Sequence, residues 1–115
     1  MATRIFRLYG THAGNDIIQL TNSPLAPPSG VKWTIVQLDV AMGDVGHVQG
    51  FFDTELYHDI DEEDTVQFGK PQTLALDIVQ PHKYVVNSID TSGNTPTTKV
   101  TIVVEESSLG GQVAQ

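Results

Sequence analysis

Thr73-Leu74-Ala75-Leu76-Asp77-Ile78-Val79 decides the fold class, because Leu74, Leu76 and Ile78 alternate with Thr73, Ala75 and Asp77. A period of two puts the three large apolar side chains on one face of a pleated ribbon, so the stretch reads as a half-buried strand. Pro71 and Pro81 bracket it. Proline has no N–H to give a ladder, and each therefore marks a strand end or an edge.

The same alternation returns at Val100, Ile102 and Val104, with Lys99, Thr101 and Glu105 opposite. Between the two lies Tyr84-Val85-Val86-Asn87-Ser88-Ile89, β-branched and aromatic, which runs into the turn formers Asp90 to Pro96. Residues 84–89 and the strand after them therefore read as a hairpin with a long polar loop. Upstream, Val31, Trp33 and Ile35 are apolar at odd positions, but Val36, Leu38, Val40 and Met42 are apolar at even ones. A one-residue slip turns every later side chain to the other face, which predicts a β-bulge at Ile35-Val36 or a strand that bends from one sheet into another.

Thr3 to Tyr9, Asp16 to Thr21, Val48 to Leu56 and Thr65 to Phe68 complete the set of strand candidates. The fold expected is all-β: about eight short, mainly antiparallel strands in a two-sheet, jelly-roll-like sandwich or a small barrel. No window of ten residues carries a helical stripe, although Leu56, Tyr57 and Ile60 allow a helical turn or two over Asp53 to Asp61. At 115 residues the chain has one domain's worth of core. That domain is assigned to 1–106, with an extended proline-rich loop at 22–30 and a tail at 107–115. Asn22-Ser23-Pro24-Leu25-Ala26-Pro27-Pro28-Ser29-Gly30 has too much proline for a ladder and is expected to run extended, free to lie on a neighbour.

Charge narrows the partners. Fourteen acids against six bases leave −8, which repels a phosphate backbone, so nucleic acid is not expected as a ligand. Residues 1–38 hold Arg4, Arg7 and Lys32 against Asp16 (+2), whereas residues 39–115 hold three lysines and thirteen acids (−10). That polarity reads first as an acidic solvated surface that keeps the chain soluble, with steering of a head-to-tail contact between copies as the alternative. The first residues scatter charge through Ile5 and Phe6, which predicts synthesis in the cytoplasm without a signal peptide, and no apolar run is long enough to cross a bilayer as a helix. With no cysteine, disulfides and thiolate chemistry are excluded.

No spacing in the sequence marks a catalytic residue or a cofactor site. Asp59-Ile60-Asp61-Glu62-Glu63-Asp64 is the one dense carboxylate run, and Asp59, Asp61, Glu63 and Asp64 are the candidate calcium ligands. They do not follow the EF-hand spacing, since the sixth and twelfth positions counted from Asp59 are Asp64 and Lys70. His12, His47, His58 and His82 show no zinc-binding spacing and read as surface or loop histidines. The loop serines Ser23, Ser29, Ser92, Ser107 and Ser108 lie in no Gly-x-Ser-x-Gly elbow. The glycine sets at 10–14 and 43–46 match no phosphate-binding loop and read as turns.

Trp33, Tyr9, Tyr57 and Tyr84 are the aromatics available to a sugar, and Trp33 shares the phase of an apolar strand, so it is expected in a core or an interface. The expectation is a non-enzymatic structural protein that works through protein contacts, as a homo-oligomer or on a larger particle. Its class would be that of a decoration, cement or minor capsid subunit of a phage-like virion. The alternative is a carbohydrate- or calcium-dependent binding module.

Overall fold

The alternation at Leu76 and Ile78 becomes an edge strand of a two-sheet sandwich. A computed structural model of the chain describes residues 2–61 and 70–109, without the side chains of 61 and 70–75. Among the described residues it contains no helix and eight strands: β1 (Ala2–Thr11), β2 (Ile17–Gln19), β3 (Val31–Met42), β4 (Gly46–Phe52), β5 (Glu55–Asp61), β6 (Lys70–Val79), β7 (Tyr84–Asp90) and β8 (Thr97–Ser108).

The strands form two four-stranded antiparallel sheets, β1-β8-β3-β6 and β2-β7-β4-β5. The order has a simple origin: β1 pairs with β8, β2 with β7, β3 with β6 and β4 with β5, as in one long folded ribbon. Rolling that ribbon up adds the β3–β8 and β4–β7 pairings. The result is a jelly roll, and the sheets do not close into a barrel.

Three contacts fix how the sheets stack. Tyr9 bridges to Thr21, just past β2; Ser88 of β7 touches Thr98 of β8; and a side chain added at Gly46 of β4 would strike Met42 of β3. Strands β1 and β2 therefore form one flank of the sandwich, and β5 and β6 the opposite one. Between the sheets lie Leu8, Ile35, Leu38, Ile78, Tyr84, Val86, Val100 and Ile102, each at most 1% exposed. Burying each such side chain contributes about 1.5–3 kcal/mol, so packing supplies the stability that no disulfide provides.

The phase slip in β3 is a β-bulge. Ile35 pairs with Val104 and Gln37 with Val103, so Val36 is the extra residue, and Leu38, Val40 and Met42 return to the core face after it. The bending alternative does not occur, because β3 pairs with β6 and β8 along its length and stays in one sheet.

Other expectations need correction. Residues 84–104 are not a hairpin: β7 pairs with β2 and β4, β8 pairs with β1 and β3, and the loop 91–96 crosses between the sheets. The helical turn over Asp53 to Asp61 is strand β5, joined to β4 by a tight turn in which Asp53 takes the left-handed conformation at φ 59°. The single strand expected from Val48 to Leu56 is thus two. Strand β6 runs back through Pro71, which pairs with Asp39 and is tolerated because β6 is an edge. The candidate strand Thr65 to Phe68 lies outside the described residues.

The proline-rich segment belongs to its own domain. Leu25 and Pro27 are buried, and Leu25 exchanges backbone hydrogen bonds of 2.8 and 3.0 Å with Tyr84. It covers the margin of β7 where β2, three residues long, has ended. Ser107 and Ser108, counted above with the tail, are the last residues of β8 and pair with Lys32 and Val31. Residues 110–115 lie outside the described residues.

Candidate functional site

The loops 12–16, 43–45 and 91–96 meet at one end of the sandwich, and there the inward positions of the strands turn polar. In β7 the alternation Tyr84, Val86, Ser88, Asp90 carries the core face from aromatic to acid, and β8 opens with Thr98 on the same interior. His12, Ser88, Asp90 and Thr98 are each at most 2% exposed.

These groups form a continuous network. His12 Nδ1 lies 2.7 Å from Asp16 Oδ1, His12 Nε2 lies 2.8 Å from Ser88 Oγ, and Ser88 Oγ lies 2.8 Å from Thr98 Oγ1. The chain is satisfied in one direction: Thr98 donates to Ser88, Ser88 to Nε2, and Nδ1–H to the Asp16 carboxylate. The Ala13 backbone N–H donates to the other Asp16 oxygen at 3.1 Å, and this bond, with that of His12, holds the carboxyl below its ordinary range.

An Asp–His–Ser alignment of this kind is the geometry that activates a serine nucleophile. Here it differs from a catalytic site in access. Ser88 is 0% exposed, and its hydroxyl is held between His12 and Thr98, so no substrate carbonyl can approach it in this conformation. The network ties the β1–β2 loop to β7 in one sheet and β8 in the other. Ser88, a strand residue, is not among the loop serines considered from the sequence, and the signal it left is a small polar residue at an inward position of an apolar strand.

Asp90 organises the neighbouring loop. Its carboxylate accepts from the Asn15 N–H (2.8 Å), the Ser92 N–H (3.0 Å), the Ser92 hydroxyl (2.6 Å) and the Gly93 N–H (3.2 Å). The Ser92 hydroxyl leads in lowering the Asp90 pKa to about 2. Asp44 accepts from Asn94 at 2.7 Å and stitches the 43–45 loop to the same cluster.

The histidines are not all surface groups. His12 is buried, and His58 is half-buried with its Nε2 on the Tyr84 hydroxyl, both lying over Gly50, where a Cβ would strike each. Burial pushes the His58 pKa down and the Tyr84 hydroxyl up, and His58 Nδ1 is enclosed without a hydrogen-bond partner. His47 lies 3.3 Å from Asp59, and His82 lies 2.6 Å from Asp53.

Of the candidate calcium ligands, Asp59 is exposed on β5, where Gln49 donates to it at 3.1 Å. Asp61 pairs with His47 in the backbone register, its side chain lying outside the described residues, as do Glu63 and Asp64 altogether. Among the described residues, no three acids or histidines gather as metal ligands would. The aromatics do not converge either. Trp33 is buried against Phe6 at 4.9 Å between ring centres and donates its indole N–H to Glu106 at 2.8 Å. Tyr84 is buried, and the exposed Tyr9 and Tyr57 sit on β1 and β5, at opposite flanks.

Surface depressions also occur among the described residues. A groove of about 450 Å³ runs between β1 and the proline segment, with Ile5, Phe6, Trp33, Pro24 and Leu25 among its walls. A hollow of about 400 Å³ lies at Arg7, Leu8, Tyr9, Lys99, Val100 and Thr101. No protein-family model matches the chain, and no curated protein matches it in sequence.

Proposed function

We propose that the chain is a non-enzymatic assembly protein that acts through contacts with further protein chains, its own copies included. Within that class the reading is a decoration, cement or minor capsid subunit, incorporated in a phage-like particle. The observation that carries it is where exposed apolar side chains fall. Ile5, Tyr9 and Ile17 are 55%, 50% and 66% exposed on β1 and β2, and Leu56 and Tyr57 are 53% and 44% exposed on β5. Both flanks of the sandwich thus carry large apolar groups at edge strands, the places where a sheet protein ordinarily sets charge or proline to prevent pairing.

Jelly rolls serve in capsids, lectins and enzymes alike, so the fold supports an assembly role by analogy only, and the surface is the stronger support. The sealed Ser88 hydroxyl is consistent with a role that needs no nucleophile. A binding module that depends on calcium is the reading to test against. Thermal melting of the purified chain in millimolar calcium and in chelator is the experiment: equal melting temperatures support the assembly reading, and a marked rise in calcium contradicts it.

A further inference from the structure

We infer that copies of this chain associate head to tail, the β1–β2 flank of one packing on the β5 flank of the next. The inference rests on the assembly reading and assigns its surfaces. On the outer face of the first flank, Arg7 pairs across to Thr101 and Tyr9 to Lys99. Arg7, Tyr9 and Lys99 are exposed, and neither cation has a carboxylate within ion-pair distance among the described residues. Together they border the hollow of about 400 Å³. Arg4 contributes less, being paired with Glu106 at 2.6 Å.

The β5 flank has the complementary character. Glu55 and Asp59 are exposed on either side of Leu56 and Tyr57, and the turn at Asp53 precedes them. The first flank presents two cations around a tyrosine and a concavity; the second presents an exposed leucine and tyrosine, with Asp59 opposite Gln49 and Glu55 opposite Phe52 as its exposed acids. Like flanks brought together would oppose like charges, a juxtaposition that disfavours the contact, whereas unlike flanks bring cation to acid and Tyr57 to the hollow. Because the two surfaces lie on opposite sides of one domain, their contact is heterologous and generates a ring or an open filament.

Charge reversal tests this. The R7E/K99E variant replaces the two cations of the first flank by acids, and the E55K/D59K variant replaces the two exposed acids of β5 by cations; each alone is expected to lose self-association by about tenfold or more. An equimolar mixture is expected to regain it, because every junction then joins an acidic flank to a basic one. Melting temperatures equal to wild type establish that each variant is folded, and if D59K lowers its own, R7E and E55K provide the same test. Wild-type protein that stays monomeric overturns self-assembly itself. An associated wild type that neither reversal disturbs, or reversals that do not complement each other, overturns the assignment of these flanks alone.

Discussion

His12 Nε2 and Ser88 Oγ lie 2.8 Å apart across 76 residues of sequence, inside the sandwich, with Asp16 on the far nitrogen of the ring and Thr98 on the far side of the hydroxyl. An alignment that elsewhere performs acyl transfer here joins two sheets. Its energetic value comes from low dielectric and complete satisfaction: each member has its partner, and removing one leaves another buried and unpaired.

Ser88→Ala therefore destabilises the fold by about 1–3 kcal/mol, since His12 and Thr98 both lose a partner. Thr98→Val costs a comparable amount, and the two changes together cost less than their sum. Equilibrium urea denaturation of the two single variants and the double variant checks this, and strict additivity would contradict a shared network.

Asp90 makes stability depend on acid. Its carboxyl is lowered from 3.8 to about 2 in the folded chain, so the stabilisation is present above pH 3.8 and is lost as pH falls through the folded value. Acid unfolding followed by circular dichroism is expected to steepen in that window. Asp90→Asn, which cannot titrate, is expected to be less stable than wild type at neutral pH, with the gap narrowing toward pH 2.

Much of this architecture is legible in sequence, and the illegible parts have a common cause. The ladder residues Ile78, Ile102 and Val104 declare themselves because one face is buried and the other is not, and the bulge at Val36 declares itself because it inverts that phase. Strand β5 hides because it is an edge: Leu56 and Tyr57 are exposed and Ile60 is buried, so no clean alternation survives. The crossing from β7 to β8 imitates a hairpin because loop length and turn residues report only what neighbours in sequence can do, while jelly-roll pairing joins β1 to β8. The His12–Ser88 network hides for the same reason. Asp59, which heads an acidic run in the sequence, acquires its place on the β5 flank only through the fold.

Gly50 is required by its neighbours. A Cβ there would strike both His58 Nε2 and the Tyr84 hydroxyl, so Gly50→Ala must displace this packed pair and costs about 1–3 kcal/mol. His58 also carries a pH signature. Burial lowers its pKa from 6.5, so the stabilisation is present above that value and is lost as pH falls below it through the folded pKa. Melting temperatures from pH 8 to 5 are expected to fall for wild type and to fall less for His58→Gln.

Trp33 is the chain's one tryptophan, 8% exposed, with its indole N–H on Glu106. Its fluorescence is expected to be blue-shifted in the folded chain, to resist iodide quenching, and to shift to the red on unfolding. Emission already at the solvent-exposed wavelength in the native protein would contradict the packing of Phe6 and Trp33 described here.

The claim that matters most is that the exposed edges at Tyr9 and Tyr57 are surfaces for protein contact. Light scattering of the purified 12.5 kDa chain over a concentration series reads this directly. A mass that rises to a multiple of the monomer, equally in calcium and in chelator, is expected. A mass that stays at one chain throughout, or that changes only with calcium, would contradict it.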